Sequence, residues 1–162
     1  YLIGSVHFID KWGFDNPEFI GRYEDENIDD IWQKYFDTIK AMANSKLFDV
    51  VGHLDLIKVF KFMPNKNILD IAKNALLAIK NADMTLEINM AGYRKPIKEA
   101  YPSSELLKIA FELNIPITFS SDAHKPEQVS LYAKEILQLA KDIGYTQCAT
   151  FDKRKRKMID FI

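Results

Sequence analysis

Apolar residues follow two alternating rhythms along this chain. Hydrophobic side chains at 28, 31, 32, 35, 36, 39, 42 and 43 have the three-and-four spacing of one helix face, which predicts an amphipathic helix over 27–45. The short run Leu47-Phe48-Asp49-Val50-Val51 ends β-branched and reads as a buried strand. Ile68, Leu69, Ala72, Ala75, Leu76 and Ile79 mark a second helix over 66–82, and Met84–Ile88 the next strand. Pro102 and Ser103 predict a third helix start by N1-proline and N-cap chemistry. It runs to 113 and is ended by Asn114, before a strand over Ile115–Phe119. Pro126 opens a fourth helix with Val129, Tyr132, Ala133, Ile136, Leu137 and Ala140 on one face, and Gly144 stops it. Residues 1–8 and Tyr145–Phe151 read as the first and last strands.

Strict β-α alternation predicts an α/β fold of parallel strands joined by crossover helices. Five strands are too few for a closed eight-stranded barrel, which leaves an open doubly wound sheet or part of a barrel. The 162 residues suffice for one domain with a real core. A 48% hydrophobic and 28% charged composition is that of a globular protein, and a net charge of −1 points to neither nucleic acid nor an acidic membrane as partner. No apolar run approaches the ~20 residues that cross a bilayer. The single cysteine, Cys148, excludes an internal disulfide and suits a reducing cytoplasm. The start at Tyr1, inside a predicted strand, suggests a piece of something longer.

The chemistry concentrates where strands end. His7 closes the first strand, His53 follows the second, and Asp122 and His124 follow Phe119-Ser120-Ser121. In parallel α/β folds these positions share one face, where functional residues cluster. Imidazole and carboxylate are the usual ligands of zinc, manganese and iron. At an extended strand end, Asp122 and His124 both face one site while Ala123 turns away. Glu87 sits within an apolar strand, so it must be paired or functional, and an ion pair with Arg94 is the plain alternative. Arg94, with Lys95 beside it, has the chemistry to clamp a phosphate. Asp55, two residues after His53, either orients an imidazole or caps the following loop. The aromatic, turn-rich loop Trp12-Gly13-Phe14-Asp15-Asn16-Pro17 either walls a small-ligand pocket or packs on the surface. The basic run Lys153–Lys157 reads as the solvated end of a final strand or helix. Neither a glycine-rich phosphate loop nor a Ser-His-Asp or Cys-His nucleophile arrangement is evident.

Five segments, in order, carry a family resemblance: Gly4-Ser5-Val6-His7-Phe8, the Trp12–Pro17 loop, Gly52-His53-Leu54-Asp55, Leu86-Glu87-Ile88-Asn89 with Gly92–Pro96, and Ser120–His124. Together they resemble histidinol-phosphate phosphatases of the PHP (polymerase and histidinol phosphatase) superfamily. The resemblance implies that residues 1–162 are the C-terminal part of a single PHP domain, a distorted (β/α)7 TIM-like barrel. It implies divalent metals, up to three in the intact domain (zinc, manganese or iron), and hydrolysis of L-histidinol phosphate in the cytoplasm as part of histidine biosynthesis. By resemblance His7, His53, Asp122 and His124 are metal ligands, Asp122 and His124 also being catalytic. Arg94, Lys95, Trp12 and Asn16 would hold substrate, and Glu87 and Asp55 would be supporting residues. Another PHP phosphoesterase, or a non-catalytic metal-binding module of the kind attached to some DNA polymerases, are the competing expectations. Family members begin with a His-x-His strand and further histidine and glutamate ligands that this chain lacks. The expectation is therefore an incomplete ligand set, weak metal binding by this piece alone, and exposed apolar surface where the absent strands would pack. Oligomeric state is not legible.

Overall fold

A computed structural model describes residues 1–161. The chain opens with β1 (Ile3–Gly4), then a hairpin of β2 (Phe8–Ile9) and β3 (Trp12–Gly13), a short helix α1 (Arg22–Asp25) and the long α2 (Ile28–Asn44). There follow β4 (Val50–Val51), α3 (Ile68–Asn81), β5 (Thr85–Asn89), α4 (Ser104–Glu112), β6 (Ile117–Ser120), α5 (Ala133–Ile143), β7 (Gln147–Asp152) and β8 (Lys155–Asp160). Strands β1, β4, β5 and β6 form a parallel sheet in that order. Alternation of strand and helix therefore builds the α/β architecture that the hydrophobic rhythm predicts.

The helices form where capping and amphipathicity agree. Asn27 caps α2 by accepting from the amides of Asp29 and Asp30, whose carboxylates also suit the positive helix end. One face of α2 buries Ile31, Trp32, Tyr35, Phe36, Ile39 and Ala43. Asn67 caps α3, which buries Ile71, Ala72, Ala75, Leu76 and Ile79 and packs beside α2. Ser103 caps α4 through the amide of Leu106. The sheet core of Val50, Val51, Leu86, Ile88 and Ile117 is fully buried, as strands covered on both faces require.

Three predicted elements come out differently. The first strand is only Ile3–Gly4. After Val6 the chain leaves the sheet and turns back at Asp10, whose φ of 54° lies in the left-handed region, to pair β2 with β3. The helix expected from Pro126 is a single 3₁₀ turn, Pro126–Gln128. Ser130, at φ 59°, breaks it, so helix α5 begins at Ala133 and Val129 is exposed rather than packed. The last strand does not end at the basic run. Lys153 and Arg154 adopt positive φ and fold it into the antiparallel β7–β8 hairpin. Arg154 grips Asp49 with two nitrogens at 2.9 and 3.1 Å, and Arg156 reaches Asp83 at 2.6 Å. The run thus clasps the loops that precede β4 and β5. At the other side of the sheet, β1 is an edge strand, and Tyr1, Leu2 and Ile3 are exposed. Among the described residues the parallel sheet is open.

Candidate active site

Parallel pairing points the C-terminal ends of β1, β4, β5 and β6 in one direction. The segments leaving those ends surround a cavity of about 640 Å³. His7, His53, Glu87, Asn89, Arg94, Lys95, Asp122 and His124 all line it. The three histidines, scattered over the sequence, are therefore gathered by topology alone.

The deepest wall is built around His53. Residue 52 is tightly packed: a Cβ there would press on Ser5 Oγ and lie 3.1 Å from Ile3 Cγ2. His53 itself sits at φ 25°. Its amide donates to Glu87 Oε2 at 2.8 Å, which offsets the strain of that backbone. Asn89 Nδ2 donates to the same oxygen at 2.9 Å. Glu87 is thus buried and hydrogen-bonded, the condition for keeping a carboxylate inside a strand. The alternative ion pair with Arg94 is not made.

His7 stands edge-on to His53, with ring centroids 4.8 Å apart. Its Nδ1 lies 2.8 Å from Asp15 Oδ2. That hydrogen bond, aided by the charges of Asp15 and Asp122, raises the His7 pKa despite partial burial. His53 goes the other way: burial lowers its pKa, with His7 adding to the effect, against the pull of Glu87 and Asp122. Buried His53 Nδ1 has no hydrogen-bond partner. A neutral imidazole with a free ring nitrogen is the form that can ligate a metal.

The opposite wall is looser. Asp122 has φ 45° and its side chain is 38% exposed, while that of His124 is 79% exposed. His124 is steered locally: its amide donates to Gln128 Oε1 at 2.9 Å and its Nδ1 lies 3.0 Å from the Asp122 carbonyl. Arg94 holds this loop, Nη2 donating to the carbonyls of Ser121 and Asp122 at 2.8 and 2.9 Å. Arg94 Nη1 is buried without a partner.

Several expected roles shift. Trp12 is buried and does not line the cavity; its Nε1 donates to the Phe19 carbonyl and its ring packs against Phe14 and Tyr23. Asn16 also lies off the cavity and caps the turn Pro17–Phe19 through the amide of Glu18. Their loop contributes Asp15 instead, missed because an Asx residue among turn formers reads as turn chemistry. Asp55 orients no imidazole. Its Oδ2 lies 2.9 Å from Lys58 Nζ and accepts from the Ser103 amide at 2.9 Å, tying the loop after β4 to the start of α4. Fully buried Lys58 and Tyr101 carried no sequence signal beyond their types.

The donor types fit divalent metals, but the set is partial. Among the described residues no three His, Cys, Asp or Glu side chains converge to hold an ion. His7, His53, Asp122 and His124 share a cavity without closing around one point.

Comparison with known proteins agrees with the motifs. The PHP domain family profile matches residues 1–91. A Deinococcus radiodurans protein named as a probable histidinol-phosphatase is 39% identical over 155 residues, covering 96% of this chain and 58% of its own length. The histidinol-phosphatase of Bacillus subtilis is 30% identical over 118 residues, covering 67% of this chain and 44% of its own. The crystal structure of a histidinol phosphate phosphatase from Lactococcus lactis, in complex with zinc, L-histidinol and phosphate, superposes with a TM-score of 0.75 at 23% identity, covering 96% of this chain and 60% of that one. The chain therefore spans about half the length of the relatives it matches.

Proposed function

The chain belongs to the PHP domain family, and from that premise we propose that the protein carrying it is a metal-dependent phosphomonoesterase hydrolysing L-histidinol phosphate to L-histidinol and phosphate. One observation carries the reading: His7, His53, Asp122, His124 and Arg94 meet at a single cavity on the C-terminal rim of the sheet. The D. radiodurans and B. subtilis relatives support the activity by name, and the L. lactis complex, with zinc, L-histidinol and phosphate bound, supports the metal and the two expected products. Residues 1–162 would be the C-terminal part of one PHP domain, an arc of its distorted barrel. Donors beyond this chain's four would complete the sites for zinc, manganese or iron.

When bound, a divalent metal supplies Lewis acidity and acidifies a water. His53 and His7 would be ligands, the first kept neutral by burial and the second aimed by Asp15. Asp122 and His124 would be ligands and the groups nearest the reacting phosphate, with His124 at the solvent-facing mouth. Arg94 would donate its free Nη1 to a phosphate oxygen, where charge grows during displacement. Lys95, exposed on the rim, would draw the anion in. Glu87 acts through His53, fixing the backbone from which that ring projects. A cytoplasmic location follows from such a biosynthetic role.

The test is phosphate release by the whole protein supplied with zinc, manganese or iron, across L-histidinol phosphate, nucleoside monophosphates and an aryl phosphate. Histidinol phosphate is expected to have the highest kcat/KM. A preference for nucleotides would move the protein to another PHP phosphoesterase activity, and no release from any ester would make it a non-catalytic module.

A further inference from the structure

Tyr101 lines the cavity, is 1% exposed, and its hydroxyl has no hydrogen-bond partner. Buried hydroxyls are normally satisfied, because leaving one unpaired in the interior costs stability. An orphan of this kind, on a residue that lines a cavity, is explained by a partner that arrives with a ligand. Arg94 Nη1 is a second buried donor without an acceptor, on the same cavity. Both groups can donate, and what each lacks is an acceptor.

The ring is held from several sides. The Tyr101 backbone exchanges two hydrogen bonds with Asn89, at 2.7 and 3.1 Å, and Asn89 in turn binds Glu87. Lys58, fully buried, donates to the carbonyl of Ala100 at 2.9 Å and pairs with Glu99 at 3.0 Å and Asp55 at 2.9 Å. Its ammonium lies 5.3 Å from the centre of the Tyr101 ring. Asp55 also fixes the amide of Ser103, just past Tyr101. Gly92 allows the close approach of this strip, since a Cβ there would collide with the Glu99 carbonyl and touch Tyr101. The phenol is thus pre-positioned with its rotation already restricted, which lowers the entropic cost of using it for binding. Burial, with Asp55, Glu99, Asp15 and Asp122 nearby, holds its pKa well above the ordinary phenol range, so it remains a donor.

We propose that Tyr101 is a substrate-binding residue whose hydroxyl donates to an oxygen of the bound phosphate monoester, alongside Arg94 Nη1. The inference rests on the phosphatase reading and adds to it a contact and a residue.

The experiment compares the whole protein with its Tyr101→Phe variant, which removes one oxygen and keeps the ring beneath Lys58. Three quantities are read: the melting temperature without ligand, the rise in melting temperature with inorganic phosphate, and KM for L-histidinol phosphate. A hydroxyl reserved for ligand predicts an unchanged or higher ligand-free melting temperature in the variant. It also predicts a roughly tenfold or greater increase in the phosphate concentration needed for the same thermal shift, with KM raised in parallel. A lower ligand-free melting temperature would mean the hydroxyl is structural and would overturn the inference, whatever the phosphate response. Equal phosphate shifts and equal KM in both proteins would overturn it while leaving the phosphatase reading intact. Absence of a phosphate shift and of phosphate release in the unsubstituted protein would remove the reading and the inference together.

Discussion

The two walls of the cavity are made differently. The wall from β4 and β5 is fixed by buried hydrogen bonds: Glu87 holds the amide of His53, and Asn89 holds Glu87. His53 is 7% exposed. The wall after β6 consists of half-exposed Asp122 and open His124, steered by local contacts and by Arg94 on two carbonyls. The first wall joins function to fold stability, so its residues cannot change without cost to both. The second is free to meet ligand, and in the proposed role its residues would serve chemistry with little stake in the fold.

The sharpest way to break that contrast is Glu87→Ala. Two buried donors, the His53 amide and Asn89 Nδ2, would lose their acceptor. With each orphan costing about 1–3 kcal/mol, a loss of roughly 3 kcal/mol in unfolding free energy is expected by denaturant titration, together with loss of activity. A loss below ~1 kcal/mol would show that the wall is not hydrogen-bond-locked. Asp122→Asn should do the reverse. Stability is expected to stay within ~0.5 kcal/mol, while phosphate release falls on the order of 10²-fold or more. Equal damage to stability and rate would erase the distinction between the walls. Arg94→Lys keeps the charge but not the fork, so about a tenfold rise in KM is expected, near 1.4 kcal/mol, with kcat less affected.

The smallest effect is in protonation, read by NMR titration of the metal-free protein. His7 should titrate above 6.5 and His53 below it. For His7, whose folded pKa is raised, the added stability is full below 6.5 and is lost as pH rises through the folded value. For His53, whose folded pKa is lowered, stability is full above 6.5 and is lost as pH falls through the folded value. Shifts of the same sign in both rings would contradict the account of how the pair is held.

Legibility in the sequence follows the same division. Helices α2 and α3 were readable because periodicity and Asn caps agree, and both recur in the fold over nearly the predicted spans. The gathering of His7, His53 and His124 was readable because parallel topology sends every strand end to one rim. Strand lengths were not: β1 and β4 have two residues each, and where a strand leaves a sheet depends on its neighbours rather than its own apolar run. The roles of Asp55 and Trp12 were not readable either. An aspartate two residues from a histidine has the spacing of a partner, yet here a lysine three residues on and an amide 48 residues away take its carboxylate. Trp12 has the chemistry to wall a pocket, yet its ring is spent on the core with Phe14 and Tyr23. Long-range pairing decides such cases, and a single sequence does not encode it locally. The basic run 153–157 is a further example, since its clasp partners Asp49 and Asp83 lie over 70 residues earlier.

The most direct test of the central claim is phosphate release from L-histidinol phosphate by the whole protein, before and after metal removal. The account predicts turnover that a chelator abolishes, that zinc, manganese or iron restores, and that Asp122→Asn lowers on the order of 10²-fold or more without unfolding the protein. Turnover that survives metal removal and the Asp122→Asn substitution unchanged, or no turnover with any of the three metals, would contradict it.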